Sequence, residues 1–98
     1  MLVKIQQSCR YIVAICDSNL IGKRFEEGKL QLDIKESFYK GEEKTKEQVL
    51  HIIKKMAAED ATFNIAGKES VQTAIESGLI SQENIGKIHG IPFALVLL

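Results

Sequence analysis

The chain has 98 residues, of which 45% are apolar and 27% are charged. This length suits one small domain with one hydrophobic core, and this composition excludes a disordered protein or a coiled coil. Thirteen Lys and Arg balance thirteen Asp and Glu. The overall charge therefore does not favour a dedicated nucleic-acid binder, although a local basic patch could still exist.

No targeting or membrane signal is visible in the sequence. No apolar stretch approaches the ~20 residues that a membrane-spanning helix requires. The first seven residues, MLVKIQQ, lack the apolar run and the small-residue cleavage site of a signal peptide. We therefore expect a cytoplasmic protein without a membrane partner.

The two cysteines are expected to be reduced thiols. Cys9 and Cys16 bracket one predicted strand, where seven residues correspond to ~23 Å and to opposite faces of the sheet. That separation exceeds the reach of a disulfide within the strand. Neither cysteine has a nearby partner with zinc-site spacing, so we expect no metal and no cofactor.

The first third of the chain predicts β structure. A short strand is expected at residues 2–6 and a second one at residues 9–16. The nearly continuous apolar run from Tyr11 to Ile15 is typical of a central strand that is covered on both faces. A turn or cap is expected at residues 17–19, whose Asp, Ser and Asn side chains bond readily to nearby backbone.

A hairpin is expected next, at residues 23–25 and 29–34. Leu30, Leu32 and Ile34 alternate with polar residues, which is the pattern of a half-buried strand. Residues 35–44 then predict a polar connection that contains the adjacent aromatic residues Phe38 and Tyr39.

The second half of the chain predicts two helices and three strands. Thr45 and Gln48 have the spacing of a capping box at the start of a helix over residues 45–58. A strand at residues 61–66 and a helix at residues 67–77 follow. A closing hairpin through His89 and Gly90 ends in an entirely apolar segment, residues 93–98, from Phe93 to Leu98.

This order of elements predicts one α+β domain over residues 1–98. We expect a mostly antiparallel or mixed sheet of about six strands, with two helices packed on one face, because both helices carry one apolar stripe. Segment 93–98 is expected either to insert as an inner strand or to contact another subunit.

The sequence contains no recognisable catalytic or cofactor motif, and no catalytic residue is assigned. The most suggestive loop follows the predicted central strand and contains Asp17, Gly22, Lys23 and Arg24. Loops held by rigid strands are frequent binding sites. The alternative, which we favour from the residues alone, is a capped turn followed by solvated charges.

Several segments resemble a small archaeal family that is known as domain of unknown function 424. The resemblance rests on residues 11–17, 20–23, 30–34 and 38–42, and on residues 64–67, 74–79 and 90–92. It covers nearly the whole chain in the same order. The resemblance implies a short, soluble archaeal protein without an established activity, and it favours a role in translation by association.

Three functions remain open at this point. The first is a non-enzymatic module that binds RNA or the ribosome, with phosphate contacts from Lys23, Arg24, Lys54 and Lys55 and base stacking by Tyr39. The second is a protein-interaction or homo-oligomerising module that uses residues 93–98. The third is a small-ligand binder or an enzyme around Cys16, Asp17 and His89.

Overall fold

The computed structural model describes all 98 residues and contains eight strands and three α-helices. The strands are β1 (Leu2–Gln7), β2 (Tyr11–Cys16), β3 (Arg24–Glu27), β4 (Leu30–Asp33), β5 (Glu42–Glu43), β6 (Thr62–Ala66), β7 (Gly86–Ile88) and β8 (Ile91–Leu97). The helices are α1 (Glu36–Tyr39), α2 (Lys46–Ala58) and α3 (Lys68–Glu76).

Six strands form one mixed sheet in the order β5-β1-β2-β6-β8-β7, and β3 pairs only with β4. The hairpin of β1 and β2 is antiparallel, β2 runs parallel to β6, and β8 runs antiparallel to both β6 and β7. His89 and Gly90 join β7 to β8 with φ angles of 52° and 75°. Two successive positive φ angles are what a type I′ hairpin turn of two residues requires.

Helices α2 and α3 cover one face of the sheet. Val49, Ile53 and Met56 of α2 are buried there, as their helical spacing predicts. They belong to the larger core, which also contains Phe63 and Ile65 of β6. The start of α2 is fixed by the expected capping box, in which Thr45 Oγ1 accepts from Gln48 N–H at 3.2 Å.

The opposite face carries a smaller core beneath the β3–β4 hairpin and α1. Leu32, Ile34 and Tyr39 pack there against Ala14 and Cys16 of β2. This core covers only the upper part of the sheet, around the carboxyl ends of β2 and β6. The remaining part of that face has no helix or hairpin over it.

The predicted α+β fold with a mixed sheet of six strands is confirmed, and α2 and α3 lie on one face as expected. The third helix, α1, was not predicted and forms in what the sequence marks as a polar connection. Strand β2 begins at Tyr11 rather than at Cys9, which is exposed in the preceding turn. None of the helices has the length and apolar content that crossing a membrane requires.

Candidate functional site

The loop after β2 is held against the start of α3 by Asp17. Its Oδ1 accepts hydrogen bonds from Ser70 N–H at 2.8 Å and from Ser70 Oγ at 2.7 Å, and its Oδ2 accepts from Glu69 N–H at 3.1 Å. These backbone groups belong to the first turn of α3, which has no acceptors of its own for them. Asp17 therefore caps α3 from a distant part of the chain.

Two glycines shape the same region. Gly67 precedes α3 with a φ of 110°, and a Cβ atom there would overlap the Asp17 carboxylate. Gly22 has a φ of 81°, and its N–H donates to Ile34 O at 2.8 Å, which ties the loop to the end of β4. The loop that the sequence marks as a ligand loop thus makes its own structural contacts, beside a cavity of about 200 Å³.

The predicted basic residues do not form one patch. Lys23 and Arg24 lie at the start of the β3–β4 hairpin, on the face with the smaller core, whereas Lys54 and Lys55 are exposed on α2 across the sheet. Arg24 Nη2 also lies 2.6 Å from Glu26 Oε1, so part of its charge is balanced within β3.

Tyr39 lies in the interior, and its predicted role in base stacking does not fit the structure. Only 6% of its surface is exposed, and its ring packs edge-on against Phe38 with 5.2 Å between the ring centroids. Burial raises its pKa to about 12. Of the two adjacent aromatic residues, Tyr39 is the one that anchors the segment, and Phe38 is only partly buried.

The structure does not bring Cys16 and His89 together. Cys16 is fully buried, and burial raises the pKa of its thiol to about 11. His89 lies on the turn between β7 and β8, with β6 and β8 separating that turn from β2. Its Nε2 is 2.6 Å from Glu26 O. The nucleophile and base required by the enzyme hypothesis are therefore apart.

The fold likewise brings together no set of side chains that could coordinate a metal ion. No group of three or more His, Cys, Asp or Glu side chains is placed to hold a metal ion.

Strand β8 has an open edge along its second half. Its pairing with β7 begins at Ile91 and ends where Phe93 faces Gly86. From Ala94 to Leu97 its only strand neighbour is β6. We call the unpaired side of residues 94–97 the β8 edge.

The β8 edge borders an exposed apolar area. Leu95 is 59% exposed and Leu97 is 71% exposed, and both side chains project from the same face as Phe93. They lie in register with Asn64 and Thr62 of β6, on the part of the sheet that no other element covers. Large exposed leucines that adjoin an unpaired strand are typical of an interaction surface.

A groove of about 680 Å³ meets the end of β8 on the opposite face. It lies between the last turns of α2 and α3, and its lining includes Leu50, Ala57, Leu79 and Leu98. Leu98 is 44% exposed, and Arg10 Nη1 donates to its backbone oxygen at 2.7 Å. Lys54 and Asp60 also line the groove, so its surface is mixed rather than wholly apolar.

A second groove carries positive charge, and nothing in the sequence pointed to it. This groove of about 260 Å³ lies between α3 and the β7–β8 hairpin, and its charged residues are Lys68 and Lys87. Both are exposed and neither forms an ion pair. Gln72 and Gln82 also line it. The two lysines are distant in sequence, so only the fold brings them to one groove.

These features define the protein as a small α+β domain with a mixed six-stranded sheet and helices α2 and α3 on one face. The model of the family described as a protein of unknown function, DUF424, matches residues 6–98. The chain belongs to this family, and the resemblance noted in the sequence is confirmed.

One solved structure shares the fold. It is an uncharacterised conserved protein from Methanopyrus kandleri, with a TM-score of 0.83 and 22% sequence identity, and the alignment covers 97% of this chain and 88% of that chain. At this identity the likeness concerns the fold alone. No curated protein matches the chain.

Proposed function

We propose that this protein is a non-enzymatic protein-interaction module that binds a polypeptide strand along the β8 edge. The observation that carries the proposal is the unpaired side of residues 94–97 next to two exposed leucines. Strand addition to a sheet edge supplies backbone hydrogen bonds, and the side chains beside the edge supply specificity.

Nothing in segment 93–98 protects the edge. It contains no charged residue and no proline, which are the residues that commonly prevent edge-to-edge pairing. Burial of the exposed parts of Leu95 and Leu97 would contribute about 2–4 kcal/mol. The edge therefore combines hydrogen-bonding capacity with apolar area in one place.

Capture of partners by wild-type and variant protein tests the proposal. The tagged protein is incubated with native cell lysate, with and without RNase, at low and moderate salt. The test variant is Leu95→Lys/Leu97→Lys, and the matched control is Leu30→Lys, because Leu30 is 53% exposed on the β3–β4 hairpin.

We expect a partner that survives RNase and salt, is retained by the Leu30→Lys control and is lost with the double variant. Equal retention by the double variant and the control would refute a role for the β8 edge.

A second candidate is association with RNA or a ribonucleoprotein, including the ribosome. The groove between α3 and the β7–β8 hairpin favours it, because Lys68 and Lys87 are exposed cations without carboxylate partners. Such cations contact phosphates, and the affinity then falls steeply with salt. Lys23, Arg24, Lys54 and Lys55 remain predicted contacts on other surfaces.

Three charge-reversal variants separate these surfaces: Lys68→Glu/Lys87→Glu, Lys23→Glu/Arg24→Glu and Lys54→Glu/Lys55→Glu. RNA affinity is measured for each by filter binding over a salt series. We expect the first variant to reduce the affinity and its salt dependence most. Unchanged binding in all three variants would exclude these lysine and arginine surfaces as the RNA site.

A further inference from the structure

We propose that the strand bound at the β8 edge is β8 of a second copy of this chain, antiparallel and related by a two-fold axis at Val96. This inference rests on the proposed function, since it names the partner for the same edge. It would join two six-stranded sheets into one continuous sheet across the dimer.

The backbone N–H and C=O groups of β8 point alternately towards β6 and towards the open side. Gly67 N–H donates to Pro92 O at 2.9 Å, so the carbonyl of Pro92 points to the β6 side. Backbone groups alternate along a strand, and those of Ala94 and Val96 therefore also point towards β6. The N–H and C=O groups of Leu95 and Leu97 point to the open side.

Only one register uses all of these open groups. With the axis at Val96, Leu95 faces the partner's Leu97, and each of these two pairs exchanges two N–H to C=O hydrogen bonds. With the axis at Leu95, the partner's Leu97 would face Phe93, which already pairs with Gly86 of β7. A shift by one residue would pair Leu95 with Val96, whose backbone groups face β6.

The side chains fit the same register. Leu95 and Leu97 of both copies would form one apolar strip on the uncovered face, in line with Ile12 and Thr62. The two Val96 side chains would meet on the other face, beside the larger core. No charged side chain occurs from Ile91 to Leu98, so the side chains of two identical strands meet without charge repulsion.

The side chains favour a second copy over an unrelated strand, because the leucines exposed on one protomer would be covered by the same leucines of the other. The backbone supplies two donors and two acceptors from each protomer, as at any strand edge. An isologous interface of this kind closes on itself, so it yields a dimer rather than a filament.

Sedimentation over a concentration series is the first test. We expect a reversible equilibrium between an 11.0 kDa monomer and a dimer of twice that mass. Leu97→Pro removes an outward N–H from each protomer but no hydrogen bond within it. We expect it to weaken dimerisation at least about tenfold. Leu97→Ala also loses the leucine side chain but keeps the N–H, so Leu97→Pro should weaken dimerisation more than Leu97→Ala does. Leu30→Lys, on the β3–β4 hairpin, is the control that should leave dimerisation unchanged.

The register is tested by cross-linking in a Cys9→Ser background, which removes the exposed native thiol. Val96→Cys places two thiols opposite each other at a non-hydrogen-bonded pair, with Cα atoms about 4.5 Å apart, within disulfide range. We expect rapid oxidation to a covalent dimer for Val96→Cys. Leu95→Cys, which faces Leu97, is the control and should oxidise more slowly.

A wild-type monomer at all concentrations would overturn the inference, as would a dimer that is insensitive to Leu97→Pro and does not cross-link through Val96→Cys. A monomer that still captures a protein through Leu95 and Leu97 would leave the strand-binding function intact and refute only the self-pairing. A monomer that also captures no protein through Leu95 and Leu97 would refute both the self-pairing and the strand-binding function.

Discussion

The carboxylate of Asp17 lies at the start of α3, a position where anionic ligands bind in many proteins. It accepts hydrogen bonds from the backbone N–H groups of Glu69 and Ser70 in the first turn of the helix, and a third from the Ser70 hydroxyl. An acidic residue in a loop after a central strand can thus cap a helix instead of binding a ligand, and the local sequence does not distinguish these two roles. The fold distinguishes them, because it places the start of α3 against the Asp17 carboxylate.

Gly67 makes this contact possible, and its replacement tests it. We expect Gly67→Ala to lower the free energy of unfolding by about 3 kcal/mol or more, because a positive φ and a clash with Asp17 act together. Gly78→Ala is the matched control: its φ is 85°, and nothing lies within 4 Å of an added Cβ. It should cost only about 1–2 kcal/mol. Equal losses in denaturant unfolding would contradict the contact with Asp17.

The two cysteines should differ in reactivity. Cys16 is fully buried with a pKa raised to about 11, whereas Cys9 is exposed. Because the thiolate is the reactive form, we expect one fast thiol in native protein at about pH 8 and a second only after unfolding. Alkylation followed by mass spectrometry measures this. Cys9→Ser should remove the fast phase, and rapid modification of both thiols would contradict the burial of Cys16.

At the scale of elements, α2 is the segment whose sequence signals agree best with its structure. Its capping box consists of Thr45 and Gln48, which exchange hydrogen bonds of 3.2 Å and 2.9 Å. Its apolar stripe enters the larger core. Local and long-range preferences agree here, so the sequence alone predicts the helix well.

The cap should contribute measurably to stability. We expect Thr45→Ala to lower the free energy of unfolding by about 1 kcal/mol, because an N–H group at the start of α2 loses its acceptor. Thr45→Ser keeps the hydroxyl and should retain most of that stability. Thermal or denaturant unfolding of the three proteins is the measurement. Equal losses in the two variants would show that the hydroxyl is not responsible.

For strand β8, the local sequence does not predict which side chains are buried and which are exposed. Its residues are nearly all apolar, so no alternation in the sequence separates the buried Ala94 from the exposed Leu95 and Leu97. Ala94 faces the larger core, whereas Leu95 and Leu97 project from the uncovered part of the other face. The open edge has a separate cause, since β7 has three residues and β8 has seven. An inner strand at its start becomes an edge strand at its end.

At the scale of the whole molecule, the balanced net charge predicts that dimerisation depends only weakly on salt concentration. Dimerisation through apolar side chains and backbone hydrogen bonds should change less than about threefold between about 50 and 200 mM salt. RNA binding through several lysines would weaken by orders of magnitude over that range. Sedimentation and filter binding in the same buffers compare the two. A strongly salt-sensitive dimer would point to an ionic interface instead.

The two faces of the sheet explain why the predicted basic site did not assemble. Lys23 and Arg24 follow the β3–β4 hairpin to the smaller core, while Lys54 and Lys55 follow α2 to the larger one. Helix periodicity places the α2 lysines outward, which is correct. No sequence pattern reveals which face of the sheet a hairpin will cover, because that depends on the crossover connections.

Features that rest on local chemistry could be predicted from the amino-acid sequence: the capped helix α2, the hairpin turn at His89 and Gly90, the α+β class and the family. Spacing, capping and backbone preference act over a few residues and can be read directly. Other features emerge only from the folded arrangement: the cap by Asp17, the burial of Tyr39, the groove with Lys68 and Lys87, and the open β8 edge. Each of these depends on contacts between residues far apart in the chain, whose geometry arises only when the sheet is assembled.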